Sequence, residues 1–233
     1  MSVNASLSTR LRCVHALNGC FVAMQSLQTS IRPLASAVYS PSLLRTLVLL
    51  ISTGESYTFV AVSLMLLLLA SDAAFADVIG YTANATEQKQ ANSASNVPSS
   101  SSTSVLSTLV SLLNSTVEYE CRARIVAFMS AVACGSPKGC KTIADTRGAA
   151  RGCIKIMKEG INYNKEDTTA SDVTDGEQNA RAAADVFLLE DGMLILQACS
   201  HSAKGVESLR TVLKDDNSIE VVEQAVSETV YNK

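Results

Sequence analysis

The clearest structural signal in the chain is Gly205-Val-Glu-Ser-Leu-Arg-Thr-Val-Leu-Lys-Asp-Asp-Asn-Ser-Ile-Glu-Val-Val-Glu-Gln-Ala-Val-Ser-Glu-Thr-Val-Tyr-Asn232. Its first part, residues 206–213, has apolar residues spaced by threes, which places them on one face of a helix. Leu213-Lys-Asp215 then ends the apolar pattern, and Val221-x-x-x-Ala225 starts another. The stretch therefore predicts two helices joined by a short turn.

Three other segments share this apolar spacing, and each also fits one face of a helix. They are residues 44–51, 106–113 and 150–157. The central apolar anchors of the four segments are Leu47, Leu109, Cys153 and Leu209. These anchors lie 62, 44 and 56 residues apart, and the first and third intervals shorten to 39 and 40 when two polar segments are left out. A period near 40 predicts stacked helical repeats.

The two polar segments lack apolar periodicity and read as long exposed loops. Residues 82–104 are rich in Ser, Asn, Ala and Thr, and residues 161–176 are rich in Asp, Glu and Thr. With hydrophobic residues at 47% of a 233-residue chain, the remainder can bury a large core. We therefore expect residues 1–233 to form a single all-α domain in which 82–104 and 161–176 are flexible.

The quoted stretch 205–232 resembles the armadillo repeat family, in which a glycine opens the third helix and a short turn leads to the next unit. Residues 143–148, Ile-Ala-Asp-Thr-Arg-Gly, look like the family's segment between second and third helices. Gly148 and Gly205 would lie where the chain turns sharply, since glycine has no Cβ to clash there. The resemblance implies an armadillo-like α-solenoid of about three to four repeats, with HEAT-like packing as an alternative.

Armadillo folds bind partner proteins along a groove lined by their third helices, so the resemblance implies a protein-interaction scaffold without catalysis or cofactors. The groove residues would be the polar positions between the apolar anchors. The candidate partner-binding residues are Arg45, Ser111, Arg151, Lys155, Arg210 and Lys214. Five of these six are basic, which favours an acidic partner segment; the alternative is an ordinary solvated helix surface. A net charge of -3 gives the chain no general attraction toward nucleic acid, so no nucleic-acid partner is expected.

A nucleotide-binding enzyme is an alternative hypothesis that rests on residues 135–142, Gly-Ser-Pro-Lys-Gly-Cys-Lys-Thr. The segment comes near the phosphate-binding loop G-x-x-x-x-G-K-T and follows an apolar run that could be a strand. However, Cys140 replaces the glycine that lets the backbone approach phosphate, and Pro137 removes one amide donor. An interhelical turn with solvated Lys138 and Lys141 is the simpler interpretation.

The seven cysteines form no Cys-x-x-Cys pair, and their odd number argues against a disulfide framework. We expect buried thiols in a reducing compartment, such as the cytoplasm. A Cys-x-His pair occurs twice, at Cys13 and at Cys199, but residues so far apart are not expected to form one zinc site. The sequence therefore predicts no metal centre.

The first part of the chain raises a mitochondrial or membrane-associated alternative. No acidic residue precedes Glu55, and Arg10 and Arg12 lie among Ser, Leu and Ala, as in a presequence. Residues 58–70 form the most apolar run, but thirteen residues are fewer than the about 20 that a bilayer-spanning helix needs. A helix buried on all sides explains this run better.

Overall fold

The protein, in a computed structural model, is all-helical wherever the structure describes it, which is residues 6–27, 41–51, 55–71, 105–115, 118–167 and 175–231. In chain order the helices are α1 Leu7–Ser26, α2 Pro41–Ile51, α3 Glu55–Ser71, α4 Val105–Leu113, α5 Tyr119–Gly135, α6 Pro137–Asp145, α7 Ala149–Asp167, α8 Asp175–Cys199, α9 Ala203–Val212 and α10 Asp216–Tyr231. No strand occurs within these ranges. The predicted all-α class is confirmed.

All four apolar segments predicted as helix faces lie in helices, namely α2, α4, α7 and α9. Their anchors Leu47, Leu109 and Cys153 are fully buried, while Leu209 is half-buried. The four helices differ in length, because α7 has 19 residues and the other three have 9 to 11. The spacing near 40 therefore does not mark one helix type that repeats, and the α-solenoid of three to four units stays a prediction.

The apolar run 58–70 forms most of helix α3, which packs against α1, α2 and α5. Its side chains that the structure describes, at residues 57–66 and 68, are all buried or half-buried. At one edge, the Arg124 guanidinium of α5 lies 5.2 Å from the centre of the Phe59 ring, a cation–π contact. The expected buried helix is confirmed. Among the described helices, none is both long enough and apolar enough to cross a bilayer.

A sharp helix corner occurs twice, at Ser136-Pro-Lys-Gly139 and at Ser202-Ala-Lys-Gly205. In each, the serine hydroxyl caps the new helix by accepting from the backbone N–H of the glycine at 2.9 Å. In each, the glycine also sits against the backbone of the preceding helix. A Cβ would lie 2.2 Å from the Val132 carbonyl oxygen in the first corner and 2.1 Å from the Cys199 carbonyl oxygen in the second.

Gly148 and Gly205 both lie at sharp turns between helices, as predicted, but the two turns differ in geometry. Gly148 does occupy a turn between α6 and α7, with φ of 88°, a conformation that favours glycine. Gly205 instead lies in the first turn of α9, where the close approach of α8 requires a residue without a side chain. The structural counterpart of Gly205 is therefore Gly139.

Each corner joins a long helix to a short one, and a second long helix follows. The two sets are α5, α6, α7 and then α8, α9, α10. The second set packs on the first, with α8 against α5, α6 and α7, and with α9 against α6 and α7. Helix α10 contacts α7 and α8. Helix α7 is thus surrounded by other helices, which decides how little of it reaches solvent.

The predicted acidic loop 161–176 is wrong at both of its ends. Helix α7 continues through Asp167, because Ile161 is buried and extends the apolar face of Ile154 and Met157 at helical spacing. Helix α8 already begins at Asp175. Residues 168–174 and the whole of the predicted Ser-rich loop 82–104 lie outside the described residues.

Candidate interaction surface

Between Ala149 and Ile161, helix α7 presents a narrow stripe of basic side chains to solvent. Between Ala149 and Ile161 the exposed residues are Arg151, Lys155 and Lys158, spaced by four and three. This spacing places them along one line of the helix surface. All the other residues of this segment are buried, apart from the half-buried Glu159. We call Arg151, Lys155 and Lys158 the basic stripe.

The C-terminal end of α4 lies against the start of the basic stripe. A Cβ on Gly152 would lie 2.9 Å from the Cβ of Leu113, so α7 and α4 approach closely at this point. The Lys155 ammonium donates a long hydrogen bond of 3.4 Å to the backbone oxygen of Asn114. Carbonyls at a helix C-terminus lack intrahelical partners and carry partial negative charge, so a lysine is favourable there.

The predicted site residue Ser111 lies one turn before Asn114 and is exposed. Its hydroxyl donates to the backbone oxygen of Thr108 at 2.7 Å, and its oxygen remains able to accept. Three predicted residues, Ser111, Arg151 and Lys155, are therefore exposed on two helices, α4 and α7, that contact each other. The fourth member, Lys158, was missed because it falls one residue beyond the segment 150–157.

The other three predicted site residues are not joined to this surface by a described contact. Arg210 lies in the last turn of α9 and Lys214 in the turn that follows, both exposed, and α9 packs against α7. Arg45 belongs to α2, but its side chain lies outside the part that the structure describes. A continuous row of five basic residues therefore stays a prediction.

The charge of the basic stripe is not offset by the acidic residue next to it. Glu159 is turned toward α5, where its carboxylate accepts from Arg122 through both oxygens, at 3.0 Å for Nη1 to Oε1. Arg122 is almost completely buried, so this bidentate pair holds the Glu159 carboxylate away from the stripe. The exposed line of α7 consequently carries three positive charges that no acidic residue of its own helix segment neutralises.

Residues 135–142 form a helix corner in which Ser136 caps helix α6. Helix α5 ends at Gly135, and α6 begins at Pro137. Its amides are engaged within the corner, since the Gly139 N–H bonds the Ser136 hydroxyl and the Cys140 N–H bonds the Ser136 carbonyl. The run 125–134, which the nucleotide hypothesis needs as a strand, is part of α5. The expected exposed Lys138 and Lys141 are found.

The cysteines divide into buried and exposed thiols, all of them free. Cys121, Cys153 and Cys199 are buried as expected, and burial, followed by the nearby Cys140, raises the pKa of Cys199 to about 11. The expectation is wrong for three thiols on exposed helix positions, namely Cys13, Cys20 and Cys134. Within the described ranges, no group of three or more His, Cys, Asp or Glu residues is placed to hold a metal ion.

An open groove of about 650 Å³ lies between α6 and the turn into α9. Cys140 and Lys141 line one side, and His201 and Lys204 line the other. Asp145 adds a negative charge, so the groove is mixed in sign. A mixed lining selects less strongly for an anionic partner than the basic stripe does. The stripe is therefore the stronger candidate site.

Comparison with known proteins finds no relative of this chain. No family model, curated protein or solved structure matches the chain. The likeness to armadillo repeats consequently depends on the residues quoted from segments 143–148 and 205–232. Function has to be argued from the surface of α4 and α7.

Proposed function

We propose that the chain is a protein-interaction scaffold of the armadillo-like kind, which binds an acidic segment of a partner across the basic stripe and the end of α4. The observation that carries the proposal is the exposure of Arg151, Lys155 and Lys158 as one line on the segment 149–161 of α7, whose other residues are buried or half-buried. A rigidly held row of cations has little conformational freedom to lose in its backbone when a partner binds.

The length of the stripe defines the kind of segment that fits. Arg151 and Lys158 are seven residues apart, which corresponds to roughly 10 Å along a helix. A partner helix with carboxylates at positions i, i+4 and i+7 has the same spacing. Arg151 can bind a carboxylate through two parallel hydrogen bonds, whereas the lysines act as point charges.

A protein partner fits the charge balance better than a nucleic acid does. Only three cations form the stripe, and the whole chain has a net charge of -3, which repels a polyanion at longer range. A cytoplasmic location belongs to the same proposal. Free thiols at Cys13, Cys20 and Cys134 are exposed, and they are typical of a reducing compartment.

The test is the binding of a fluorescein-labelled, alanine-rich helical peptide with glutamates at i, i+4 and i+7, measured by fluorescence anisotropy. The double variant Arg151→Glu/Lys155→Glu is expected to bind at least tenfold more weakly. Raising the salt concentration should weaken wild-type binding, because the charges are exposed and screened. A peptide with glutamines in place of the glutamates should not bind.

The matched control is Lys138→Glu/Lys141→Glu, which makes the same change of net charge on exposed residues of α6. It should bind the peptide about as well as wild type, apart from a small long-range effect. Equal losses in both double variants would refute the assignment of the site to α7. Equal binding of the glutamine peptide would refute an acidic partner.

A further inference from the structure

The first and last described helices each have one face packed on the protein and one face exposed. Helix α1 contacts α2 and α3 through a side that includes the fully buried Val14 and Phe21. Helix α10 contacts α7 and α8 through a side that includes the buried Val221 and Ala225.

The outer face of α10 combines apolar and acidic side chains. Ile219 is 40% exposed and Val226 is 42% exposed, and seven residues separate them, so they lie on one line of the helix. Glu220 and Glu223 are exposed beside that line. This face can bind a partner surface that offers an exposed apolar side chain together with positive charge.

The outer face of α1 has the complementary composition. Val22 is 53% exposed, and Arg12 and His15 are exposed on the same side. Between them lies Gly19, where an added Cβ would meet nothing within 4 Å, so this point of the face is uncovered. No acidic residue precedes Glu55, so no carboxylate of this segment offsets the positive charge.

We propose that the outer face of α10 of one copy binds the outer face of α1 of a second copy. Ile219 and Val226 would cover Val22, while Glu220 and Glu223 would pair with Arg12 and His15. Both faces are exposed in the single chain, so they do not meet within one copy. A contact between two different faces leaves the opposite face of each copy free, and it therefore joins copies head to tail.

The association should be weak and reversible. A contact between two single helices is smaller than the about 1,200 Å² of total buried area at which stable complexes begin. Its charge pairs lie at the rim, so salt should weaken it. The opposite charges and the exposed apolar side chains of the two faces identify a second copy of the chain as the binding partner. The proposal is independent of the basic stripe.

Sedimentation velocity of the full chain over a wide concentration range, in reducing buffer, tests the proposal. We expect the weight-average sedimentation coefficient of wild type to rise with concentration. Glu220→Lys/Glu223→Lys should weaken association at least fivefold, and Arg12→Glu should weaken it too. Combining the three substitutions should restore part of the association, because the pair that involves position 12 is re-formed with reversed charges.

The matched control is Glu118→Lys/Glu120→Lys, which changes net charge equally through two exposed residues at the start of α5. It should associate as wild type does. A wild-type chain that stays monomeric at every concentration overturns the proposal, and so does equal weakening by the control. Association that survives Glu220→Lys/Glu223→Lys but is lost in Phe187→Ser would place the contact on α8, where Phe187 is 64% exposed, and would also overturn it.

Discussion

Replacing Gly205 with alanine tests the helix corner that orients α9 on α8. A Cβ at this position would lie 2.1 Å from the Cys199 carbonyl oxygen, 2.8 Å from the carbonyl carbon and 2.9 Å from the Cα. All three are backbone atoms, so no side-chain rotation relieves the contact. The helix must move by about 1 Å or more to reach ordinary van der Waals separation.

The expected free energy change is the balance of three effects. Alanine is favoured over glycine inside a helix by about 1 kcal/mol. Moving α9 weakens the cap in which the Gly205 N–H donates to the Ser202 hydroxyl, at a cost of about 1 kcal/mol. Forcing atoms into a packed contact costs a further ~1–3 kcal/mol. Gly205→Ala should therefore lower the free energy of unfolding by about 1–3 kcal/mol.

Urea unfolding followed by circular dichroism measures this change. Gly139→Ala should behave in the same way, because its Cβ would lie 2.2 Å from the Val132 carbonyl oxygen in the equivalent corner. Gly19→Ala is the matched control, since it lies in open space on α1 and should raise stability by about 0.5–1 kcal/mol. If Gly205→Ala and Gly139→Ala were as stable as wild type while Gly19→Ala gained stability, the close approach described for the corners would be refuted.

Three further measurements test the interior. Arg122→Ala should lower the free energy of unfolding by about 1.5–3 kcal/mol, because it leaves the half-buried Glu159 without its charged hydrogen-bond partner; a double-mutant cycle with Glu159→Gln that shows no coupling would contradict this. Burial raises the pKa of the Asp191 carboxyl, so its contribution to stability is complete at low pH and is lost as the pH rises through the folded-state value; Asp191→Asn should therefore gain stability relative to wild type as the pH rises above the ordinary aspartate pKa of about 4, and a constant difference in urea unfolding would contradict it. Iodoacetamide followed by mass spectrometry should modify the exposed Cys134 in the native protein and the buried Cys153 only after denaturation.

Helix content was predictable from the sequence because the apolar spacing is strong and local. The segments around Leu47, Leu109 and Cys153 show periodic apolar residues, and burial follows from that periodicity. The interior position of residues 58–70 was predictable for a similar reason, since the run is apolar all round yet too short for a bilayer. Local pattern was enough for both inferences.

The errors arose where tertiary contacts decide the outcome. The turn at Gly205 was predicted, but the close approach of α8 was not, because no pattern within α9 reports that distance. The continuation of α7 past residue 160 depends on Ile161 being covered by other helices, which outweighs the acidic composition that follows. The membership of Lys158 in the basic stripe likewise depends on which side of α7 its neighbours leave uncovered.

The two proposed surfaces use charge in ways that experiments can separate. The acidic face of α10 is itself a possible ligand for the basic stripe of α7 in a second copy, but that pairing would leave Ile219 and Val226 opposite three solvated cations. Desolvating cations against apolar side chains without compensating hydrogen bonds is unfavourable. The outer face of α1 offers the exposed Val22 instead, so the apolar pair favours α1. Glu220→Lys/Glu223→Lys should therefore reduce self-association without changing peptide binding, and Arg151→Glu/Lys155→Glu should do the reverse.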